Sequence, residues 1–192
     1  PSSAMMILAD VGSGNDNREE VNIVEKGGNY GWRDYEGYTS DPNYVSPIYA
    51  IPRGNGNFNG NSITGGVVYT GNDSELSELK DRYIFADYRS GNVWQLDPRA
   101  ATPSDTVEFL FKDYDICGFG FDPSNGDVLY CDLVENKIKR LVRITADSVF
   151  PFTLSDTGAF ADLETLTPNP GFDPFEPNLK FWSDHAKKTR WF

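Results

Sequence analysis

Tyr83-Ile-Phe-Ala-Asp-Tyr-Arg-Ser-Gly-Asn-Val-Trp-Gln-Leu96 reads as two short strands around a polar turn led by an aspartate. The same pattern returns as Val128-Leu-Tyr-Cys-Asp-Leu-Val-Glu-Asn-Lys-Ile-Lys-Arg-Leu141. Asp87 falls on Asp132, Val93 on Ile138 and Leu96 on Leu141. An earlier copy starts at Ile7-Leu-Ala-Asp-Val-Gly-Ser-Gly-Asn15, with Val21–Val24 as its answering strand after a longer acidic turn. A hairpin recurring roughly every 40–50 residues is the mark of propeller blades, each built from about four short strands. Gly65–Tyr69 supplies a strand ahead of the Tyr83 hairpin. Val107–Phe111 and Gly118–Phe121 do the same for the Val128 hairpin. The expected fold is therefore all-β, a partial propeller of about three blades.

Working outward, Thr39–Ser62 is a long loop rich in Pro, Asn and Gly. A loop of that length is usually functional or an insertion. Glu19–Gly37 begins as an alternating, half-buried strand carrying Val21 and Ile23, then breaks on Gly27–Gly28. Tyr30, Trp32 and Tyr35 follow between Gly31 and Gly37. They form either an aromatic turn closing a sheet or one wall of a ligand site. Past Phe150 the texture changes to a Pro-rich extension with Pro168, Pro170, Pro174 and Pro177. The expected domains are 1–148, a propeller fragment, and 149–192, the start of a second, truncated module. Both ends read as cut within a longer protein.

Composition narrows the function. Among 192 residues, 29 are acidic and 17 basic, for a net charge of −12. No basic stripe exists, which argues against nucleic acid and anionic membrane surfaces. No apolar run is long enough to span a bilayer. Cys117 and Cys131 would face each other in a hairpin centred on Ser124, as a disulfide or as two small buried thiols. Gly12–Gly14 opens no helix, so a dinucleotide motif fails. Glu19 and Glu20 are strand neighbours facing opposite ways, which argues against a glycosidase pair.

Ala9–Gly12, Glu19–Asn22, Gly27-Gly-Asn-Tyr-Gly-Trp32, Glu36–Gly37 and Thr64-Gly-Gly-Val-Val-Tyr69 resemble the soluble glucose/sorbosone dehydrogenase family. That family has a six-bladed propeller and includes Hedgehog-interacting-protein-like members. The resemblance covers about residues 5–144. It implies a PQQ- and calcium-dependent sugar or alcohol dehydrogenase, periplasmic or secreted, moving a hydride from sugar to quinone and electrons to a cytochrome c. Gly12 and Ser13 match carbonyl donors to the cofactor calcium. Glu36, Tyr38 and Asp41 are the nearest matches to a structural calcium site. Arg89 matches a cation beside the quinone, and Asn57, Phe58 and Asn59 would line its face. The tail from Leu154 resembles a module preceding c-type haem domains, although no Cys-x-x-Cys-His is present.

The sequence also departs from the family. Where its enzymes carry arginines, this chain reads Asp115, Ile116 and Cys117. An acidic residue there would repel the tricarboxylate PQQ. The blade bearing the catalytic histidine is missing from this sequence, and the single histidine, His185, sits in the tail as a surface residue. No catalytic residue is therefore assigned, and this stretch alone is expected to be inactive. The alternative is a non-catalytic propeller binding a protein or carbohydrate. Open blade edges would also invite self-association.

Overall fold

The computed structural model describes residues 5–13, 18–144, 155–170, 174–175 and 190–191. The chain divides into two compact units, Pro1–Arg143 and Ile144–Phe192. The boundary expected at 148/149 and His185 both lie outside the described residues.

Among its described residues the first unit contains three antiparallel sheets. One holds β1 (Ile7–Asp10), β2 (Glu19–Ile23) and β3 (Tyr49–Ile51) in that order. The next is four-stranded: β4 (Ile63–Val68), β5 (Tyr83–Asp87), β6 (Asn92–Leu96) and β7 (Glu108–Lys112). The third holds β8 (Ile116–Phe121), β9 (Val128–Asp132) and β10 (Lys137–Arg140). Aligned on the shared aspartate that ends β1, β5 and β9, the first sheet supplies strands two to four of a blade. The third supplies strands one to three. The partial propeller expected from the repeat is what the chain forms.

The two central strands of the middle sheet, β5 and β6, are buried throughout, and their alternation sends successive side chains to its two faces. Ile84, Ala86 and Val93 pack with Ile116, Val128 and Tyr130 of the third sheet. Tyr83, Phe85, Trp94 and Leu96 pack with Val21 and Ile51 of the first. Phe85 lies 5.3 Å, ring centre to ring centre, from both Tyr83 and Trp94. Strand β2 departs from the half-buried pattern: Glu19, Glu20, Val21 and Asn22 are all buried. It is the middle strand of its sheet and lies under loops, so both faces are covered.

Thr64-Gly-Gly has a physical reason. Gly65 has φ +89° at a register shift between β4 and β5. A Cβ on Gly66 would land inside the backbone carbonyl of Ile84. Gly66→Ala is therefore expected to cost about 1–3 kcal/mol, the range for overpacking. A lowered urea midpoint would report it; an unchanged midpoint would mean that the β4–β5 pairing is looser than described.

The disulfide expectation is corrected. Both cysteines are free and exposed, so they are not buried thiols either. Cys131 stands opposite Gly118, and a register shift between Ile116 and Gly118 leaves Cys117 without a strand partner. Its Sγ reaches only the Cys131 carbonyl, at 3.6 Å.

Strand β10 borders its sheet, with Ile138 72% exposed. In the second unit, β11 (Phe160–Asp162) pairs with β12 (Thr167–Pro168), and β13 (Pro174–Phe175) with β14 (Arg190–Trp191). Among the described residues no helix is long and apolar enough to cross a membrane.

Candidate functional site

Strand direction gathers the singular residues at one end of the sheets. Strands β1, β3, β5, β7 and β9 finish there, while β2, β4, β6, β8 and β10 begin there. Gly12, Ser13, Asn57, Phe58, Asn59 and Arg89 all lie in the connections at this end.

Two fully buried carboxylates shape it. Asp87 Oδ2 accepts the amides of Asn61 and Ser62 at 2.8 and 2.6 Å. Its Oδ1 accepts those of Arg89 and Ser90 at 3.1 and 2.7 Å. Glu19 Oε2 accepts the Ile63 amide at 3.1 Å, and Oε1 lies 3.1 Å from Arg53 Nη2. That guanidinium also donates to the Gly12 carbonyl at 2.7 Å. Burial pushes the Glu19 carboxyl up from its usual range, against the Ile63 amide and the Arg53 charge.

The loop before β4 is tied down by its neighbours. Asn92 Nδ2 donates to the carbonyls of Gly56 and Asn59 at 2.9 and 2.8 Å. The Trp94 indole donates to the Asn57 carbonyl at 2.6 Å. The Asn59 side chain is occupied inside the loop, donating to Pro52 and Arg53 carbonyls and accepting from Gly56. Phe58 is 49% exposed, and Arg89 projects into solvent. Trp94→Phe keeps the ring but removes the indole donor. It is expected to cost about 1–2 kcal/mol and to speed amide exchange in the Arg53–Ser62 loop; unchanged exchange there would refute this docking.

The residues expected to hold calcium have identifiable hydrogen-bond partners. Glu36 meets Ser13, whose amide and hydroxyl donate to Oε1 at 3.1 and 2.9 Å. Tyr38 instead accepts from the Ala50 amide at 3.1 Å. Asp41 caps its own turn through the amide and side chain of Asn43 at 2.9 and 2.8 Å. Among the described residues no three His, Cys, Asp or Glu side chains converge on one metal position.

Tyr30, Trp32 and Tyr35, read from the sequence as an aromatic turn or one wall of a ligand site, line a pocket at this end, and the sequence reading missed Asp10, Glu20 and Arg18 in it. Asp10, Glu20 and Glu36 line it together with Tyr30, Trp32 and Tyr35, and Arg18 stands beside them. Glu20 is 4% exposed and is held by the Gly37 amide and by Asn22 Nδ2. Burial raises its carboxyl, and the charges of Asp10 and Glu36 push the same way. The clue was present in Asp10 and Glu20, which the β1–β2 register sets opposite each other.

The positions of the family's arginines are explicit. Ile116 is fully buried in the core between the second and third sheets. Asp115 has φ +59° and is fixed through its backbone to Tyr88 and Leu133. Nearby, Lys139 is held by Asp113 at 2.7 Å and Asp132 at 2.8 Å, and these contacts raise its pKa.

No family model matches the chain. The HIPL1 protein of Arabidopsis thaliana is 33% identical over 122 residues, 55% of this chain and 16% of that protein. The chain is similar to that protein over about half of its own length. The HIPL2 protein of the same plant is 36% identical over 103 residues, 46% of this chain and 14% of its own length. The chain thus spans about a sixth of the curated relatives it matches. Among solved structures, a putative oxidoreductase (glucose dehydrogenase) from Thermus thermophilus matches with TM-score 0.51 and 21% identity. That match covers 68% of this chain and 35% of the other. The PQQ-bound aldose sugar dehydrogenase of Streptomyces coelicolor aligns with TM-score 0.46 and 15% identity, over 68% and 34% of the two chains. The family resemblance read from the Asn-Tyr-Gly-Trp and Thr-Gly-Gly motifs is borne out, and the Thermus match carries the fold.

Proposed function

We propose that the protein containing this chain is a dehydrogenase-like propeller that binds a partner at this end without oxidising it. This reading is carried by Ile116, fully buried at the positions where the family resemblance implies arginines and this chain reads Asp115, Ile116 and Cys117. No cation from these positions can meet a tricarboxylate. The one lysine nearby, Lys139, is already matched by Asp113 and Asp132. The residues also suit calcium poorly. Arg53 sits on the Gly12 carbonyl, so its positive charge repels a divalent cation there.

A second reading keeps PQQ, calcium and a sugar or small alcohol substrate, with a cytochrome c acceptor. It is favoured by Arg89, exposed at the same end, where it could stabilise the reduced quinone. If both calcium and PQQ were bound, they would supply the hydride acceptor and its polarisation; Asn57, Phe58 and Arg89 would serve only to position the ring. The family resemblance implies a periplasmic or secreted protein for both readings, and the edge of β10, unpaired among the described residues, would serve self-association. Titrating the full-length protein with PQQ at high calcium separates the readings. Absence of saturable binding is the expected result; stoichiometric binding would overturn the first reading.

A further inference from the structure

The hairpin alignment that sets Asp87 on Asp132 also sets Ile84 on Leu129, Ala86 on Cys131 and Val93 on Ile138. In the middle sheet those positions face the third sheet, and Ile84, Ala86 and Val93 are 1%, 0% and 1% exposed. In the third sheet the same positions carry side chains that no described element covers. Ile138 is 72% exposed, Cys131 is exposed, and Leu129 is half-buried. A Cβ built on Gly118 or Gly120, the strand partners of Cys131 and Leu129, would meet nothing within 4 Å. The opposite face, with Ile116, Val128 and Tyr130, is already packed on the middle sheet.

The equivalence extends to the first strands of the two sheets. Strands β4 and β8 shift register just after the isoleucine that pairs with the shared aspartate, between Ile63 and Gly65 and between Ile116 and Gly118. Thr64 and Cys117 are therefore equivalent. Thr64 Oγ1 crosses to the next sheet and donates to the Ile116 carbonyl at 2.6 Å. The exposed Cys117 thiol reaches only its own sheet, at the Cys131 carbonyl. The third sheet thus repeats, position by position, the surface on which the middle sheet seats a neighbour. Contiguous exposed apolar faces of this kind mark interaction sites.

We propose that this face of β8–β10 is an interface, and that its occupant is a further antiparallel sheet of the same protein, contributed from outside residues 1–192. The first strand of that sheet lies against β8 as β8 lies against β4, and one of its carbonyls accepts from Cys117 as the Ile116 carbonyl accepts from Thr64. Cys117 and Cys131 are then thiols of a seam, shielded in the whole protein. Length supports this occupant, because the chain spans about a sixth of the relatives it matches. Charge does too: two copies at −12 each repel, whereas a sheet of the same protein arrives tethered. The proposal is independent of both functional readings.

The test is labelling of the reduced full-length protein with iodoacetamide, read at Cys117 and Cys131 by peptide mass spectrometry. Both thiols are expected to react at least about tenfold more slowly in native buffer than in urea, as groups exposed only by opening do. A smaller difference would overturn the proposal, because the face would be open. Protection that is lost on dilution would overturn it too, because the occupant would be a second copy. One substitution gives an independent reading. On an open face Ile138→Asp is a surface change, but under a seated sheet it buries an unpaired carboxylate. It is expected to lower the urea midpoint and to speed Cys131 labelling at least about tenfold. An unchanged midpoint with unchanged labelling would overturn the proposal. Labelling of the unsubstituted protein decides the matter where that variant fails to fold.

Discussion

Replacing Glu19 by alanine is expected to destabilise the chain by about 3–5 kcal/mol, the cost of breaking a buried pair by removing one partner. Glu19 is fully buried, whereas the Arg53 side chain is 30% exposed. Truncation strands the Ile63 amide at the start of β4 and leaves Arg53, whose Nε already has no partner, without its counter-charge. It also releases the guanidinium that holds the Gly12 carbonyl. Glu19→Gln keeps an acceptor for Ile63 and should cost less than half as much. Urea unfolding of both variants checks the order; equal losses would mean that the charge is immaterial and only the hydrogen bond counts.

The same residue sets a pH dependence with a definite sign. Burial raises the folded-state value of Glu19 above 4.5, and Glu20 shifts the same way. A raised carboxyl contributes stability that is complete below the unfolded value and is lost as pH rises through the folded one. These two groups therefore make the fold more stable as pH drops from neutral toward 4.5. Asp122 and Asp132 are lowered, Asp122 chiefly by Ser124 and Asp132 chiefly by Lys139. Their contribution is present above 3.8 and fades as pH falls through their depressed values. Unfolding midpoints should rise on mild acidification and fall in stronger acid, and Glu19→Gln should flatten the first limb. A midpoint that falls steadily from pH 7 would contradict this assignment.

The blade repeat was legible because hairpins write themselves locally: Asp87 and Asp132 both lead turns whose amides they accept. Thr64-Gly-Gly was legible as a motif, but its reason, the approach of the Ile84 carbonyl to Gly66, is visible only across a strand pair. The cysteines misled because hairpin counting assumes a regular ladder, and a single register shift at Cys117 is enough to separate them. The site was the least legible part. Alternation places Glu19 and Glu20 on a half-exposed strand, and nothing local says that loops from Arg53 and Gly37 cover them. The pairing of Glu36 with Ser13 spans 23 positions, and that of Arg53 with Gly12 spans 41. Contacts at such separations leave no periodic trace.

Asp87 is the residue on which the end of the middle blade depends, and Asp87→Ala is expected to cost about 4 kcal/mol. The carboxylate is fully buried and satisfies four backbone amides from two different segments, Asn61–Ser62 and Arg89–Ser90. A hydrogen bond to a charged group is worth about 1.5–3 kcal/mol, and the four overlap too closely to add in full. Asp87→Asn can serve one segment, but its amide group presents donors to the donors of the other; it should recover about half the loss. Asp132 provides the internal control. It holds the equivalent turn in the third sheet, is 4% exposed, and accepts the Glu135 amide at 2.7 Å and Lys139 Nζ at 2.8 Å. Asp132→Ala joins no second segment of backbone and is expected to cost clearly less than Asp87→Ala. Hydrogen exchange gives the local readout: in Asp87→Ala the amides of Asn61, Ser62 and Ser90 lose protection together. Equal losses for the two alanine variants would show that Asp87 is only a turn residue and does not clamp the Arg53–Ser62 loop to the blade. Arg89 would then lose its fixed position relative to Asn57 and Phe58, and the dehydrogenase reading would lose its strongest support.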